Sequence, residues 1–479
     1  MINEALRTLL PFAGWDEART HALEIIGAHD PVIRTPFKVT ETAVAALGAV
    51  GLAVDDVWYT RTGRRQSVSI DTRQATASLR SSFYIKLQNE VVSNARNQVM
   101  GFYPAKNGRW SYVHANFPHH RAIALKLLNV PEDRAAVRKA VAGWDALELE
   151  EALVAAGGVG GMVRSRAEWA EHPQGKAIAG LPIMEIIKIG DAPAEPLKPL
   201  QPGAIRPLAG VRVLDLTRVI AGPSCARTLA EHGAEVMKIS AAHLPHLGRQ
   251  ELDTGHGKLS AQLDLREARD TETLKGLVRS ADIFSQGYRP GTIGARGFSP
   301  EALHALRPGI IAVSLCAFSH AGPWASRRGF DTVVQSVSGI TLRQGEVFPG
   351  AEPGPQFYPS SAIDFLTGYL MAFGATVALK RRTLEGGSWL VRVSLAQAGR
   401  WLMQRGEVDA ADLPRAVEEF SPEEIERWTI TSQTPQGQLW HLKPVLKMSE
   451  TMPYWDKPTV PLGYHPPVWP VLAQHINRK

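Results

Sequence analysis

Between Pro207 and Leu315 short apolar runs alternate with helix-like segments at a regular beat, and few folds accommodate that pattern. Val211-Arg212-Val213-Leu214-Asp215-Leu216 reads as a buried strand. A loop from Thr217 to Gly222 leads into a helix opened by Pro223 and closed by Gly233; Pro in a first turn and Gly beyond a last turn are the expected punctuation. Residues 235–239, 282–285 and 310–315 read as further strands, with helices over 271–280 and from Ser299-Pro300-Glu301 onward. Strands and helices alternating over short loops imply right-handed βαβ units, hence an open parallel α/β sheet with helices on both faces. Ligands of such sheets bind at the carboxyl ends of the strands.

The rest of the 479 residues follows other patterns, and a chain this long is expected to hold more than one core. Residues 1–200 read as a smaller, mostly helical α+β domain, with a small sheet near Trp110-Ser111-Tyr112-Val113. The Pro-rich stretch 193–207 reads as a linker. Residues 201–404 form the parallel-sheet domain, and 405–479, polar and then rich in Pro and Trp, read as an extended arm over another surface. A formal charge of +6 without a dense basic tract points to an acidic small ligand rather than nucleic acid. The only two cysteines, Cys225 and Cys316, argue against a disulfide framework or a thiolate metal site. With no signal-like start and no apolar run of bilayer length, the expectation is a cytoplasmic protein without a membrane segment.

Asp364 stands at the front of an apolar, helix-like run, Ala362-Ile363-Asp364-Phe365-Leu366-Thr367-Gly368. A carboxylate there is stabilised by free backbone N–H groups and the helix dipole, so the plain reading is a first-turn capping residue. An internal repeat adds to it. With a constant offset of 323 residues, 39–75 lies over 362–398: Glu41 falls on Asp364, Gly51 on Gly374, Gly63 on Gly386 and Gln74 on Gln397. No parallel-sheet pattern is read ahead of Glu41, which argues against a catalytic role for it.

Five ordered motifs across the second half resemble family III CoA-transferases, the carnitine dehydratase/bile-acid-inducible protein F group. They are Pro207 to Pro223; Gly255-His256-Gly257-Lys258-Leu259-Ser260-Ala261-Gln262-Leu263-Asp264-Leu265; Gly287-Tyr288-Arg289-Pro290-Gly291; Gly329-Phe330-Asp331; and the Asp364 segment. In the first half, Arg61-Thr62-Gly63-Arg64-Arg65-Gln66 and the stretch from Ala155 to Gln174 resemble later family segments, so the domain order is reversed, as in a permuted or truncated tandem fusion. The resemblance implies a Rossmann-like fold, a homodimer, no permanently bound cofactor, and acyl-CoA and a small carboxylic acid as substrates. Asp364 would be the nucleophile, forming an aspartyl anhydride and then a thioester. Lys258, Arg289 and Arg328 would meet the phosphates of CoA; Ala221, Asp264, Leu265, Arg266, Gly287, Tyr288, Gly329 and Phe330 would line its groove. Asp331 would sit beside the nucleophile or cap a helix.

Departures from the family pattern keep two other readings open. Phe330 replaces the histidine of the racemase branch, so an acyl-CoA racemase, isomerase or dehydratase would lack one base. Leu259, Ser240 and Ala241 replace charged family residues, which leaves room for a non-catalytic acyl-CoA-binding subunit. The Gly157–Gly161 run lacks the Gly-Lys-Ser/Thr ending of a phosphate loop and reads as a flexible turn; 217–223 lacks Gly-x-Gly-x-x-Gly. His119-His120 has no acidic or thiol company, and no metal is expected there.

Overall fold

A computed structural model describes residues 3–92, 97–197, 199–200 and 206–470. Its frame is a seven-stranded sheet: β1 (Met184–Gly190), β2 (Arg212–Leu216), β3 (Glu235–Ser240), β4 (Lys258–Gln262), β5 (Ile283–Gln286), β6 (Ile311–Cys316) and β7 (Ser388–Ser394). The spatial order is β4-β3-β2-β5-β6-β7-β1, with every neighbouring pair parallel except β7 and β1. From β2 onward this is the 3-2-1-4-5-6 order of dinucleotide-type sheets, whose direction of growth reverses between β2 and β5. Consecutive residues feed opposite apolar layers. Val213, Val236, Ile283 and Ile311 pack into one, and Leu214, Met237, Phe284 and Ala312 into the other. A strand covered on both faces must be apolar at successive positions, which is why these runs do not alternate in polarity.

The antiparallel edge strand β1 comes from before the Pro-rich stretch, so the sheet crosses the boundary expected at residue 200. Part of that linker, residues 198 and 201–205, lies outside the described residues, as does the end of the arm, 471–479. The smaller domain carries the expected sheet, Gly101–Pro104, Trp110–Val113 and Gly160–Met162, against helices Pro118–Leu128, Arg134–Val141 and Ala146–Ala155. Gly160 and Gly161 therefore belong to a strand and not to a flexible turn. A side chain at Gly160 would press within 2.6 Å of the Tyr112 carbonyl oxygen, so only glycine lets the strands meet.

The arm is more structured than expected. It forms helix Pro422–Trp428 and a hairpin, Thr429–Thr434 with Gly437–Leu442, whose second strand pairs with Lys86–Leu87. Beyond Met448 it runs over the sheet domain without helix or strand, tied down by Trp455 Nε1 donating to the Arg227 carbonyl (3.0 Å) and Trp469 Nε1 to that of Leu277 (3.1 Å).

The repeat is present in three dimensions. Helices Val39–Thr62 and Ala362–Glu385 are each 24 residues long, each ends at a glycine of positive φ (72° and 71°), and they pack side by side, bridged by Lys380 Nζ to Asp56 Oδ2 at 2.7 Å. Each leads to a strand and a capped helix: Val68–Asp71 then Thr72–Ser78, and β7 then Leu395–Gln404. A Cβ on Gly51 would lie 2.6 Å from Val68, and one on Gly374 2.6 Å from Val391, the same contact at the same offset. Contrary to the sequence reading, a parallel strand does precede Glu41: Leu23–Ile26 pairs with Val68–Asp71. Its four residues are too short to stand out as a pattern. The two long helices also have the length and apolar composition of membrane spans, against expectation, but both are buried in the core.

Candidate functional site

A cavity of about 440 Å³ opens where the sheet order reverses, at the carboxyl ends of the parallel strands. The loop after β2 supplies Arg218, Val219 and Ala221; the turn after β5 supplies Gly287, Tyr288 and Arg289; the segment after β4 supplies Asp264, Leu265 and Arg266. Gly329, Phe330 and Arg328 close one side, Asp364 stands in the wall, and Phe117, His119 and His120 reach in from the smaller domain. Val219 is held at φ 72°, a conformation that costs a β-branched residue about 1–3 kcal/mol and is kept only where the surroundings enforce it. It forms the sharp turn into helix Ala221–Glu231, whose N-terminus has no side-chain cap. Uncapped N–H groups there favour an anionic ligand.

The cavity's position is fixed by close packing of helices. Gly368, one turn beyond Asp364, faces helix Ala221–Glu231; a Cβ there would land on the Ala221 carbonyl and crowd Ser224 Cβ at 2.8 Å. The missing side chain lets the two helix starts approach, which brings Asp364 to the loop after β2. Asp364 is 8% exposed. Burial, and then the charge of Asp331, raise its pKa well above the ordinary aspartate value. Asp331 accepts the Asp364 N–H at 2.9 Å and a hydrogen bond from Gln335 Nε2. Burial raises its own pKa to about 6 against those hydrogen bonds. Cys316 also lines the cavity, but burial pushes its thiol up to about 12, so it stays un-ionised and a poor nucleophile near neutrality.

Eleven of the residues singled out from sequence line this one cavity: Asp364, Ala221, Asp264, Leu265, Arg266, Gly287, Tyr288, Arg289, Arg328, Gly329 and Phe330. Two do not. Lys258 is turned inward, 2% exposed, with Nζ 2.8 Å from Asp215 Oδ2 and 2.8 Å from the Pro223 carbonyl. It joins β4 to β2 and to the helix that follows, and its ammonium cannot reach a ligand phosphate. Asp331 lies behind the wall, capping the Asp364 helix. Arg266 lines the cavity with its charge already matched, Nη2 lying 2.5 Å from Asp264 Oδ2. Arg218, Arg289 and Arg328 have no carboxylate partner among the described residues and form the cationic rim.

The sequence reading missed Phe117, His119 and His120. His119-His120 carried only a rejected metal reading, and their distance in sequence from Asp364, more than 200 residues, hides the encounter. The repeat's other carboxylate is spent elsewhere. Glu41 Oε1 accepts the Ala5 N–H at 3.0 Å, so the N-terminal helix Glu4–Arg7 rests on it. Asp30 copies Asp331: it accepts the Thr40 and Glu41 N–H groups (3.0 and 2.7 Å), and its pKa is likewise raised by burial to about 6.

The fold and site together define an α/β protein with a cation-rimmed ligand cavity at the switch point of a parallel sheet and a buried carboxylate in its wall. Residues 208–428 match the model of CoA-transferase family III. The chain is 30% identical over 332 residues to a protein named acetyl-coenzyme A transferase nodX from Hypoxylon pulicicidum, covering 64% of this chain and 55% of the relative. It is 32% identical to human succinyl-CoA:glutarate CoA-transferase over 36% of this chain and 41% of that one. A crystal structure of a hypothetical protein from Mycobacterium tuberculosis aligns with 32% identity and a TM-score of 0.38, over 42% of this chain and 57% of the other. The chain spans about half the length of the curated relatives it matches.

Proposed function

We propose that the protein is a CoA-transferase that moves CoA between acyl-CoA thioesters and small carboxylic acids, with Asp364 as the nucleophile. The observation that carries this reading is a buried carboxylate in the wall of a cavity rimmed by unpaired guanidinium groups. CoA is a long polyanion ending in a thiol, and such a rim suits its phosphates. An Asp364 oxygen attacks the thioester carbonyl, the C–S bond breaks, and CoA leaves as thiolate from a mixed anhydride. The thiolate then attacks the aspartyl carbonyl and the donor acid departs as its carboxylate. The incoming carboxylate attacks the aspartyl thioester, and the released thiolate takes the new acyl group, which frees Asp364.

Attack needs the ionised carboxylate, whereas burial and Asp331 favour the acid form. Adduct formation is therefore expected to climb with pH above the ordinary carboxylate range. The deciding experiment is mass spectrometry of the protein after incubation with acetyl-CoA or succinyl-CoA. A covalent adduct on the Asp364 peptide, lost in Asp364→Asn, is expected; transfer that survives in Asp364→Asn would end the proposal. One observation favours a second reading, proton exchange at the substrate α-carbon: two imidazoles reach the same cavity from the smaller domain. Uptake of deuterium from solvent at that carbon, with no transfer of CoA, would select it.

A further inference from the structure

The cavity wall opposite the parallel sheet is built of rings from the smaller domain. Phe117, His119 and His120 open the 11-residue helix Pro118–Leu128, and Phe330 meets them from the other side. His120 is 4% exposed and held on several sides: His119 at 4.0 Å between ring centres, Phe117 at 5.8 Å and Phe330 at 5.9 Å, both edge-on. Its Nδ1 is buried with no hydrogen-bond partner among the described residues, although the ring lines the cavity. An N–H buried without an acceptor is rare and costly, so the ring proton belongs on Nε2, the side left to the cavity. Burial, then His119, Arg328 and Arg218, hold the ring neutral, with a pKa of about 3. A neutral imidazole so placed is a single, fixed hydrogen-bond donor in a cationic surrounding, at the positive end of a helix.

A transferase has two anionic visitors, and they need different partners. CoA brings its phosphates to the guanidinium rim on the strand loops. The acceptor acid brings a carboxylate, which must lie beside the residue that carries the thioester. We propose that His120 binds the acceptor acid, donating Nε2–H to the incoming carboxylate while that carboxylate faces Asp364. His114 supports the placement: it stacks on Phe330 at 4.2 Å and is fixed by Tyr112 and Thr332 hydroxyls at 3.3 and 3.2 Å from its Nδ1. Phe330 and His120 are thereby kept in register. The inference rests on the transferase reading and assigns it the residue that selects its second substrate.

The test separates the two half-reactions. With acetyl-CoA or succinyl-CoA as donor and acetate or succinate as acceptor, His120→Phe keeps the ring and removes the donor. The KM for the acid should rise about tenfold or more, the effect of one charge-assisted hydrogen bond. The KM for acyl-CoA and the rate of adduct formation on Asp364 should not move. His120→Asn restores an N–H donor and should recover part of the acid's KM, which a packing role would not explain. An unchanged KM for the acid in His120→Phe overturns the inference and leaves the transferase reading intact, provided the adduct forms. A parallel loss of both KM values and of adduct overturns it in favour of packing. Absence of any adduct in the unaltered protein removes both.

Discussion

Replacing Asp331 by Asn tests whether the carboxylate behind the site is held there against its own preference for water. In the native state its pKa is raised from 3.8 to about 6, chiefly by burial. Each unit of pKa difference corresponds to about 1.4 kcal/mol, so the rise amounts to about 3 kcal/mol. The folded protein keeps this proton up to about pH 6, whereas the unfolded chain gives it up near pH 3.8. The folded state thus binds more protons across that window, and its stability falls by about 3 kcal/mol as pH climbs through it. Asparagine does not titrate, but with one acceptor oxygen in place of two it gives up one of the hydrogen bonds from the Asp364 N–H and Gln335, at about 1 kcal/mol. The variant should be about 0.5 kcal/mol less stable than the parent at pH 4 and about 2 kcal/mol more stable at pH 8, with a crossing near pH 4.5. Thermal unfolding at fixed ionic strength across pH 4–8 should show the melting temperatures exchanging order, by a few degrees at the alkaline end. A variant that melts below the parent at every pH would refute the reasoning. It would mean that the anion is worth more to the helix start than its burial costs.

Three further outcomes follow from the same geometry. Lys258→Met should cost about 3–5 kcal/mol, because Asp215 is left buried without a counter-charge; adding Asp215→Leu should recover most of it in chemical denaturation. Gly368→Ala should weaken acyl-CoA binding and lower stability by about 1–3 kcal/mol, since a Cβ there displaces the Ala221 backbone; calorimetry and denaturation report both. Glu41→Gln keeps an oxygen for the Ala5 N–H, so stability should change by about 0.5 kcal/mol at most and the Asp364 adduct should form as before.

The sheet was legible because its strands are buried on both faces and punctuated by Pro and Gly; β2, β3, β5 and β6 fall within a residue or two of their expected limits. The groups gathered at the cavity were legible as motifs, since loops after parallel strands converge by topology alone. Lys258 was not. A lysine after a Gly turn reads as a cation free to meet a phosphate, and its partner Asp215 is 43 residues away on a strand that lies beyond β3 in the sheet. β1 escaped because it joins the sheet antiparallel from before the linker, outside the alternating pattern. His120 escaped for a related reason: a polar pair at a helix start looks ordinary until an aromatic residue from another domain closes over it. Strand Leu23–Ile26 is too brief to carry a period.

The back-to-back helices leave the molecule with a built-in control experiment. Gly374 and Gly51 each face an equivalent valine, Val391 and Val68, at the same separation, one in a unit whose leading carboxylate looks into a cavity and the other in a unit whose carboxylate holds a terminus. Any burden that chemistry places on such a unit is the difference between twin substitutions made in a single polypeptide, under one solvent and one temperature.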